Sequence, residues 1–360
     1  MKIHLYILRQ LLVAFLFAVC ALLFIALPGI AVNTVHKMPT VDVTILLNFL
    51  PLVLQSLVPY VLPLCFMLSI VAVFGRLAAD KEWVAIHMAG IHPLKTLLAP
   101  FLVATGLGIL TFWMASNELP QLKRRQKSLF VNATGSFIEN LQPGKTSIRI
   151  GDFALLATSR NDDGSFSGVY IRQPPDKKGE AEEDIFASHV SLRLSDDGED
   201  LYVVAKDVQV FDPQFGDPKQ AEGIALIVNL ADKYPGNKQS YDRAKYLVSA
   251  EIREQMKAPD LLPKKLREYR FMLHSRATMF AIYYLFLGLG AATGLMMRRG
   301  TQLGALAVAA GYGIVYYVLN MRIGKELGLS SSLPPWVGAW LTTIIGGVIA
   351  AALMKKAMRR

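Results

Sequence analysis

The chain is short of charge and of cysteine, and both shortages restrict its class. Only 18% of its 360 residues are Asp, Glu, Lys or Arg, whereas 53% are hydrophobic. Soluble domains average about 25% charged and about 45–50% apolar residues, so this composition favours a membrane protein over a disordered or collagen-like chain. Cys20 and Cys65 both lie in apolar runs, so the sequence predicts neither a disulfide framework nor a zinc site.

The sequence also lacks the motifs of catalysis. Its six histidines have no metal-ligand spacing, and it contains neither a nucleophile elbow nor a His-Glu-x-x-His pattern. Segment 143–147, Pro-Gly-Lys-Thr-Ser, ends like a Walker A loop, but Glu139 stands where that loop needs its first glycine. We therefore predict that the chain is not an enzyme and holds no cofactor. Any ATP is expected to bind to a separate partner ATPase.

Six uncharged runs are long enough to cross a membrane, since a hydrocarbon core of ~30 Å takes about 20 helical residues. No ionisable residue lies well inside any of them, which argues against a secondary transporter or a proton pump. Three runs precede a long polar interval and three follow it. The runs are 10–32, one within 43–75, 97–117, 277–297, 303–321 and one between 333 and 354.

Basic residues beside these runs predict the orientation of the chain. Lys and Arg in short flanking segments resist translocation, so the side that collects them is the cytoplasm. The net charge of +10 is therefore attributed to topology and lipid contact rather than to nucleic acid. Both termini are predicted to be cytoplasmic and the long polar interval to be outside. The residues on the predicted inner side are Lys2, Arg9, Arg76, Lys81, Lys95, Arg298, Arg299, Lys355, Lys356, Arg359 and Arg360; Lys37, Arg322 and Lys325 are exceptions.

The polar interval, 118–271, has the alternation of short β-strands between turn signals. Strand-like runs at 146–157, 168–172, 190–194 and 201–205 are separated by Asn-Asp-Asp-Gly and Asp-Asp-Gly turns. This pattern predicts an antiparallel sandwich or jelly roll, followed by a helix over 240–256. Its apolar interior is expected either to be a filled core or to hold lipid. The candidate inward residues are Ile148, Ile150, Phe153, Leu155, Val169, Ile171, Leu192, Leu194, Val203, Val208, Val210, Ile224, Leu226 and Val228.

The loop between the second and third runs has the pattern of a short amphipathic helix. Its apolar residues Trp83, Ile86 and Gly90 have helical spacing, and Gly90 is placed to end a helix. A short amphipathic helix of this kind can contact a motor subunit. It can equally rest on lipid headgroups, and periodicity alone does not separate the two.

Several segments resemble one family. The loop reads Glu82-x-x-x-x-His87-x-x-Gly90-Ile91 and resembles the coupling-helix motif of the LptF and LptG permeases of lipopolysaccharide export. Segments 311–320 and 333–341 are similar to the fifth and sixth spans of the same family, and segment 269–276 resembles its lead into the fourth span. Met279 and Thr342 depart from it, because the family often has proline there.

The resemblance implies a fold and a function. The fold is an α-helical membrane protein of six transmembrane helices, three plus three, with an inserted periplasmic β jelly roll. The function is that of a permease subunit of an ABC exporter that extracts lipopolysaccharide from the outer leaflet of the bacterial inner membrane. The implied partners are a second permease of the family, a dimeric LptB-like ATPase, and LptC-like and LptA-like bridge proteins. The alternative is a mechanotransmitting or structural membrane protein that moves no lipid.

The domain boundaries and site residues follow from this resemblance. Helices one to three occupy 1–117 with a coupling helix at about 78–92, the β domain 118–271, and helices four to six 272–360. The expected contacts to the ATPase are Glu82, Trp83, Ile86, His87 and Gly90, although Glu82 could instead only cap its own helix. His36 and Lys37 are expected to contact the lipid, although a lysine at the end of a span is also a common snorkelling anchor.

Overall fold

The computed structural model describes most of the chain. The described residues are 2–37, 43–139, 148–150, 153–161, 163–173, 183–194, 200–211, 219–229, 244–259, 261–296, 302–330 and 333–358. The chain divides into two compact units. One contains Met1–Gly29, Leu52–Arg124 and Arg243–Arg360, and the other contains Ile30–Pro51 and Arg125–Asp242.

Eleven α-helices lie in the described residues, and two π-helical turns interrupt them. The π-helical turns are Met114–Glu118, between α5 and α6, and Asn320–Gly324, between α9 and α10. The helices are α1 Lys2–Lys37, α2 Val43–Ala79, α3 Glu82–Met88, α4 Pro93–Thr96, α5 Leu98–Trp113, α6 Leu119–Glu139, α7 Ser249–Gln255, α8 Pro263–Met296, α9 Gln302–Leu319, α10 Lys325–Leu329 and α11 Pro335–Met358.

Six helical segments of the described chain are long and apolar enough to cross a membrane. They are Lys2–Val32, Leu47–Ala79, Leu98–Leu129, Pro263–Met296, Leu303–Leu329 and Pro335–Met358. Each includes or overlaps one of the predicted runs, but most extend further. Helical hydrogen bonding does not stop at the first charged residue, and α6 continues through Lys123, Arg124 and Arg125.

The core of the first unit lies where α2 packs against α8. Phe66 on α2 contacts Tyr283 on α8 with ring centroids 5.6 Å apart, and both side chains are buried. Further along the same pair, a Cβ on Gly294 would lie 2.8 Å from the backbone nitrogen of Gly75. At Phe66 and Tyr283 the two helices are held in contact by their large rings. At Gly75 and Gly294 the absence of side chains lets the two backbones approach closely, as small residues do between membrane helices.

A second close approach joins α10 and α11. A Cβ built on Gly338 of α11 would lie 2.3 Å from the backbone nitrogen of Gly328 and 2.5 Å from the carbonyl oxygen of Gly324. Those distances leave no room for a side chain, so this crossing depends on glycine at position 338.

The second unit contains a six-stranded antiparallel sheet in which every strand pairs with its neighbours in sequence. The turn after β2 is fixed by Asp163, whose carboxylate accepts hydrogen bonds from the hydroxyl and the N–H of Ser165. These bonds hold the pKa of the Asp163 carboxyl below its usual range. The strands are β1 Ile148–Ile150, β2 Phe153–Arg160, β3 Phe166–Gln173, β4 Glu183–Leu194, β5 Asp200–Phe211 and β6 Lys219–Asn229.

One face of this sheet is buried. Val203 and Ala205 are buried, whereas their neighbours Tyr202 and Val204 are exposed. Among the predicted inward residues, Val169, Val203 and Val208 are buried and Leu192 and Ile224 are partly buried. The other predicted inward side chains lie outside the described part of the structure: Ile148, Ile150, Phe153, Leu155, Ile171, Leu194, Val210, Leu226 and Val228.

The chain is therefore a helical membrane protein with an inserted antiparallel β region. The described strands form one meander, whereas a jelly roll has Greek-key connections, so the jelly roll stays a prediction. The predicted helix at 240–256 is described from residue 244 onward, and there it is the seven-residue α7.

Candidate functional site: a short helix between two candidate membrane helices

Helix α3 occupies the loop between the second and third candidate spans, and its two ends are sharply defined. Lys81, just before it, has a left-handed φ of 59°. At the other end Gly90 has a φ of +77°, and its N–H donates to the carbonyl oxygen of His87 at 2.9 Å. The N–H of Ile91 donates to the carbonyl oxygen of Ile86 at 3.3 Å. These two bonds form a Schellman motif, which favours glycine at its left-handed position.

Trp83 anchors α3 to the first unit. Its side chain is only 2% exposed, and its ring lies 5.9 Å from the ring of Phe74 on α2. The ring of His87 lies 4.4 Å from the ring of Trp83. Trp83 therefore packs inside its own chain, and it reaches the surface of α3 too little to fill a groove on a partner.

A different pair of apolar residues forms the outer surface of α3. Val84 is 46% exposed and Met88 is 85% exposed. Residues four apart lie on the same side of a helix, so these two make one small apolar face. The helical spacing of Trp83, Ile86 and Gly90 does not indicate these two residues. The four-residue spacing of Val84 and Met88 was the available signal.

Glu82 is held by a residue from the start of α1. The hydroxyl of Tyr6 lies 3.1 Å from Oε1 and 3.0 Å from Oε2 of Glu82. A tyrosine hydroxyl has one proton, so it donates to one of these oxygens at a time, and the carboxylate keeps lone pairs that can accept from other donors. Tyr6 thus fixes the position of Glu82 without exhausting its capacity for hydrogen bonds.

The predicted lipid contacts, His36 and Lys37, lie at the other end of α1 from Tyr6. His36 and Lys37 are the last two residues of α1, but their side chains lie outside the described part of the structure. The Walker-like segment 143–147 lies in the undescribed range 140–147. Within the described residues, no group of three or more His, Cys, Asp or Glu side chains is arranged to hold a metal ion.

A polar junction that the sequence did not reveal lies around α7. Arg276 of α8 is buried, and its guanidinium donates to the hydroxyl of Ser249 at 2.7 Å and to the carbonyl oxygen of Leu247 at 2.6 Å. Tyr269 donates to Gln255 at 2.6 Å. These bonds attach α7 and the residues before it to α8. The signal in the sequence was Arg276, which directly precedes the apolar run 277–297.

Glu251 attaches the same helix to α6. Its carboxylate forms an ion pair with Arg124 and accepts a hydrogen bond from the N–H of Val248 at 2.9 Å. Partial burial raises the pKa of the Glu251 carboxyl, but the hydrogen bonds from Arg124 and Val248 outweigh it, so the pKa lies below its usual range. We call Ala244–Gln255, with these partners, the α7 junction.

Comparison with known proteins places the chain in a family. Residues 5–356 match the family model described as lipopolysaccharide export system permease LptF/LptG. A comparison with curated protein sequences returns no match. The family match covers nearly the whole chain and confirms the resemblance to this family. The chain therefore belongs to the LptF/LptG family of lipopolysaccharide export permeases.

Proposed function

We propose that this chain is one permease subunit of an ABC exporter, which extracts lipopolysaccharide from the outer leaflet of the inner membrane and passes it to a periplasmic bridge. A second permease of the family completes the path, and a dimeric LptB-like ATPase supplies the energy. LptC-like and LptA-like proteins receive the lipid. Family membership supports a permease role in this export; the extraction step and these partners are our proposal.

The proposed orientation has both termini in the cytoplasm and the β region, within 118–271, in the periplasm. The basic flanks of the candidate spans support it, because Lys355 and Lys356 near the end of α11 and Arg76 near the end of α2 fall on the same predicted side as α3. The helical parts are then 1–117 and 272–360.

In this orientation α3 is the contact for the ATPase, and one observation carries this assignment: α3 is anchored by Trp83 while Val84 and Met88 project from it. An element that must transmit force needs a rigid attachment on one side and a surface for its partner on the other. Glu82, held by Tyr6, adds a charged acceptor for an Arg or Lys of the ATPase. Ile86, His87 and Gly90 shape the helix and its exit toward α4.

The lipid is proposed to contact His36 and Lys37 at the outer end of α1, where a lysine ammonium can pair with the phosphates of lipopolysaccharide in a region of reduced dielectric. Lys37→Glu is expected to reduce lipid crosslinking at this position without affecting insertion. The buried face of the sheet is proposed to carry the acyl chains onward.

Charge reversal at Glu82 tests the proposal. In a permease complex purified with its ATPase, Glu82→Lys is expected to abolish co-purification of the ATPase or to uncouple hydrolysis from lipid release. An interfacial ion pair that is half removed costs about 2–5 kcal/mol. A charge reversal on the ATPase should partly restore both. Glu254→Lys, an exposed glutamate on α7, is the matched control and should change neither.

Transport itself needs a second measurement. Proteoliposomes containing the complex and a periplasmic acceptor should release lipopolysaccharide only with ATP. Hydrolysis that moves no lipid to the acceptor would favour the mechanotransmitting alternative. Full ATPase binding and normal export in Glu82→Lys would remove Glu82 from the mechanism.

A further inference from the structure

An apolar cavity lies between the start of α1 and the start of α5, away from the face of α1 that carries Tyr6. Its volume is about 660 Å³, and Leu5, Leu98 and Leu102 are among the side chains that line it. All three are exposed in the described structure. The side chains that line the cavity include neither Tyr6 nor Glu82, so the cavity takes no part in the Glu82 contact.

Two of the residues that line this cavity, Lys2 and His4, carry basic side chains. Within the described residues, Nδ1 of His4 is buried and has no hydrogen-bond partner. Lys2 is the first residue of α1, a helix with no acidic residue in its first turn. The positive end of the helix dipole therefore adds to the lysine charge at the same place.

We propose that this cavity binds one anionic phospholipid of the inner leaflet, with an acyl chain along Leu5, Leu98 and Leu102 and the phosphate beside Lys2 and His4. Basic pockets between membrane helices on the cytoplasmic side favour anionic headgroups. An acyl chain matches the part of the cavity that the leucines line, which we call the apolar body. A phosphate supplies both the negative charge for Lys2 and a hydrogen-bond partner for His4. The proposal rests on the orientation given under Proposed function, and it concerns a lipid that stays bound rather than the transported one.

A helix from a partner protein would be a poorer fit to the same features. It would fill the apolar body, but it would leave the lysine and the buried imidazole nitrogen without an acidic group unless it carried one at that depth. A phospholipid combines both chemistries in one molecule. Phosphatidylethanolamine would satisfy the apolar body as well, but it brings no net negative charge to Lys2, so the cavity should prefer phosphatidylglycerol.

Native mass spectrometry of the full permease complex tests this inference. The complex is reconstituted in nanodiscs that contain phosphatidylethanolamine and phosphatidylglycerol, without lipopolysaccharide or nucleotide, and is then released in mild detergent. The wild type should retain phosphatidylglycerol in preference to phosphatidylethanolamine. Lys2→Gln with His4→Gln should reduce the retained phosphatidylglycerol about fivefold or more, as expected for the loss of one basic headgroup contact.

Two further variants define the result. Leu98→Trp with Leu102→Trp fills the apolar body and should exclude both lipids. Lys355→Gln with Lys356→Gln removes more charge from another basic segment of the same predicted side and should retain phosphatidylglycerol as the wild type does. Equal retention in all variants, equal retention of the two lipids, or photo-crosslinking from position 102 to another protein subunit would each overturn the proposal. The lipid-retention measurement uses neither ATP nor export, so a negative result would not contradict the proposed transport function. A negative result in the Glu82→Lys test would likewise not contradict the lipid site.

Discussion

Tyr6 and Glu82 are 76 residues apart in the chain, and the hydrogen bond between them joins the start of α1 to the start of α3. Glu82 was predicted from the sequence because its position in the loop motif resembles that of the family. Tyr6 was not, because a contact between distant residues leaves no periodic pattern. For Trp83, too, the sequence indicated the residue but not its partner. Its apolar spacing was visible, but only the fold reveals that it contacts its own core.

We predict that Tyr6→Phe weakens the contact between permease and ATPase while leaving the fold intact. The variant keeps the ring and loses the hydroxyl that holds Glu82. A hydrogen bond at an exposed site is worth about 1 kcal/mol, which corresponds to roughly a fivefold loss of affinity. Titration of the ATPase onto the permease pair in nanodiscs measures it.

A double-mutant cycle with Glu82→Ala separates positioning from a general loss of stability, because alanine leaves no acceptor for the Tyr6 hydroxyl. If Tyr6 acts through Glu82, the effect of Tyr6→Phe should shrink in the Glu82→Ala background. Tyr202→Phe on β5 is a matched control, since both tyrosines are 41% exposed. A Tyr6→Phe effect of the same size in both backgrounds would contradict the positioning role.

At the scale of elements, the sequence predicted which segments form candidate membrane helices, but it did not predict the residues at which those helices end. Long apolar runs fix the existence of a membrane helix because hydrocarbon leaves the backbone no other partner than itself. Its ends depend on local contacts. The loop of α3 illustrates this, since the segment expected to be one helix of about 78–92 holds the end of α2, a turn at Asp80 and Lys81, and the short α3.

Gly338→Ala is predicted to destabilise the crossing of α10 and α11. The new methyl would overlap backbone atoms of Gly328 and Gly324, which cannot rotate away as a side chain could. Overpacking of this kind costs about 1–3 kcal/mol, so the apparent melting temperature in detergent should fall by several degrees. Gly347→Ala in the same helix is the control, because a Cβ there has nothing within 4 Å. Equal melting temperatures for the two variants would show that the helices separate without cost.

The ion pair of the α7 junction is predicted to make stability depend on acidity. The pKa of Glu251 is lowered in the folded chain, so its contribution is complete above the ordinary carboxyl pKa of 4.5 and is lost as the pH falls through the lower folded value. Both partners are more than one third exposed, so the effect should be small, about 0.5 kcal/mol. Melting curves of wild type and Glu251→Gln should differ by about 0.5–1 °C at pH 7 and converge near pH 3. A difference that grows in acid would contradict this assignment.

At the scale of the whole molecule, the alternation of apolar and polar residues predicted an inserted β region, and the described strands agree. The alternation did not predict the strand order, because a meander and a jelly roll have the same inward and outward pattern along each strand. It also did not separate a filled core from a lipid slot. The register now shows that Ala157, Val169, Ala187 and Val208 lie in one row across β2 to β5 on the buried face. These side chains are small, so this row leaves more room than leucine or phenylalanine would.

The last prediction concerns passage of lipid along this row. Photo-crosslinking residues at positions 169 and 208 should form adducts with lipopolysaccharide when the complex hydrolyses ATP, because acyl chains can reach the buried face only as the transported lipid moves onto it. The same residues at 202 and 204, whose side chains are exposed, should form few adducts under any condition. Adducts at 169 and 208 should disappear in Glu82→Lys, which breaks the proposed link to the ATPase while leaving the sheet unchanged. Adducts that are equal with and without ATP would indicate passive binding, and none at either inward position would make this face an ordinary packed core.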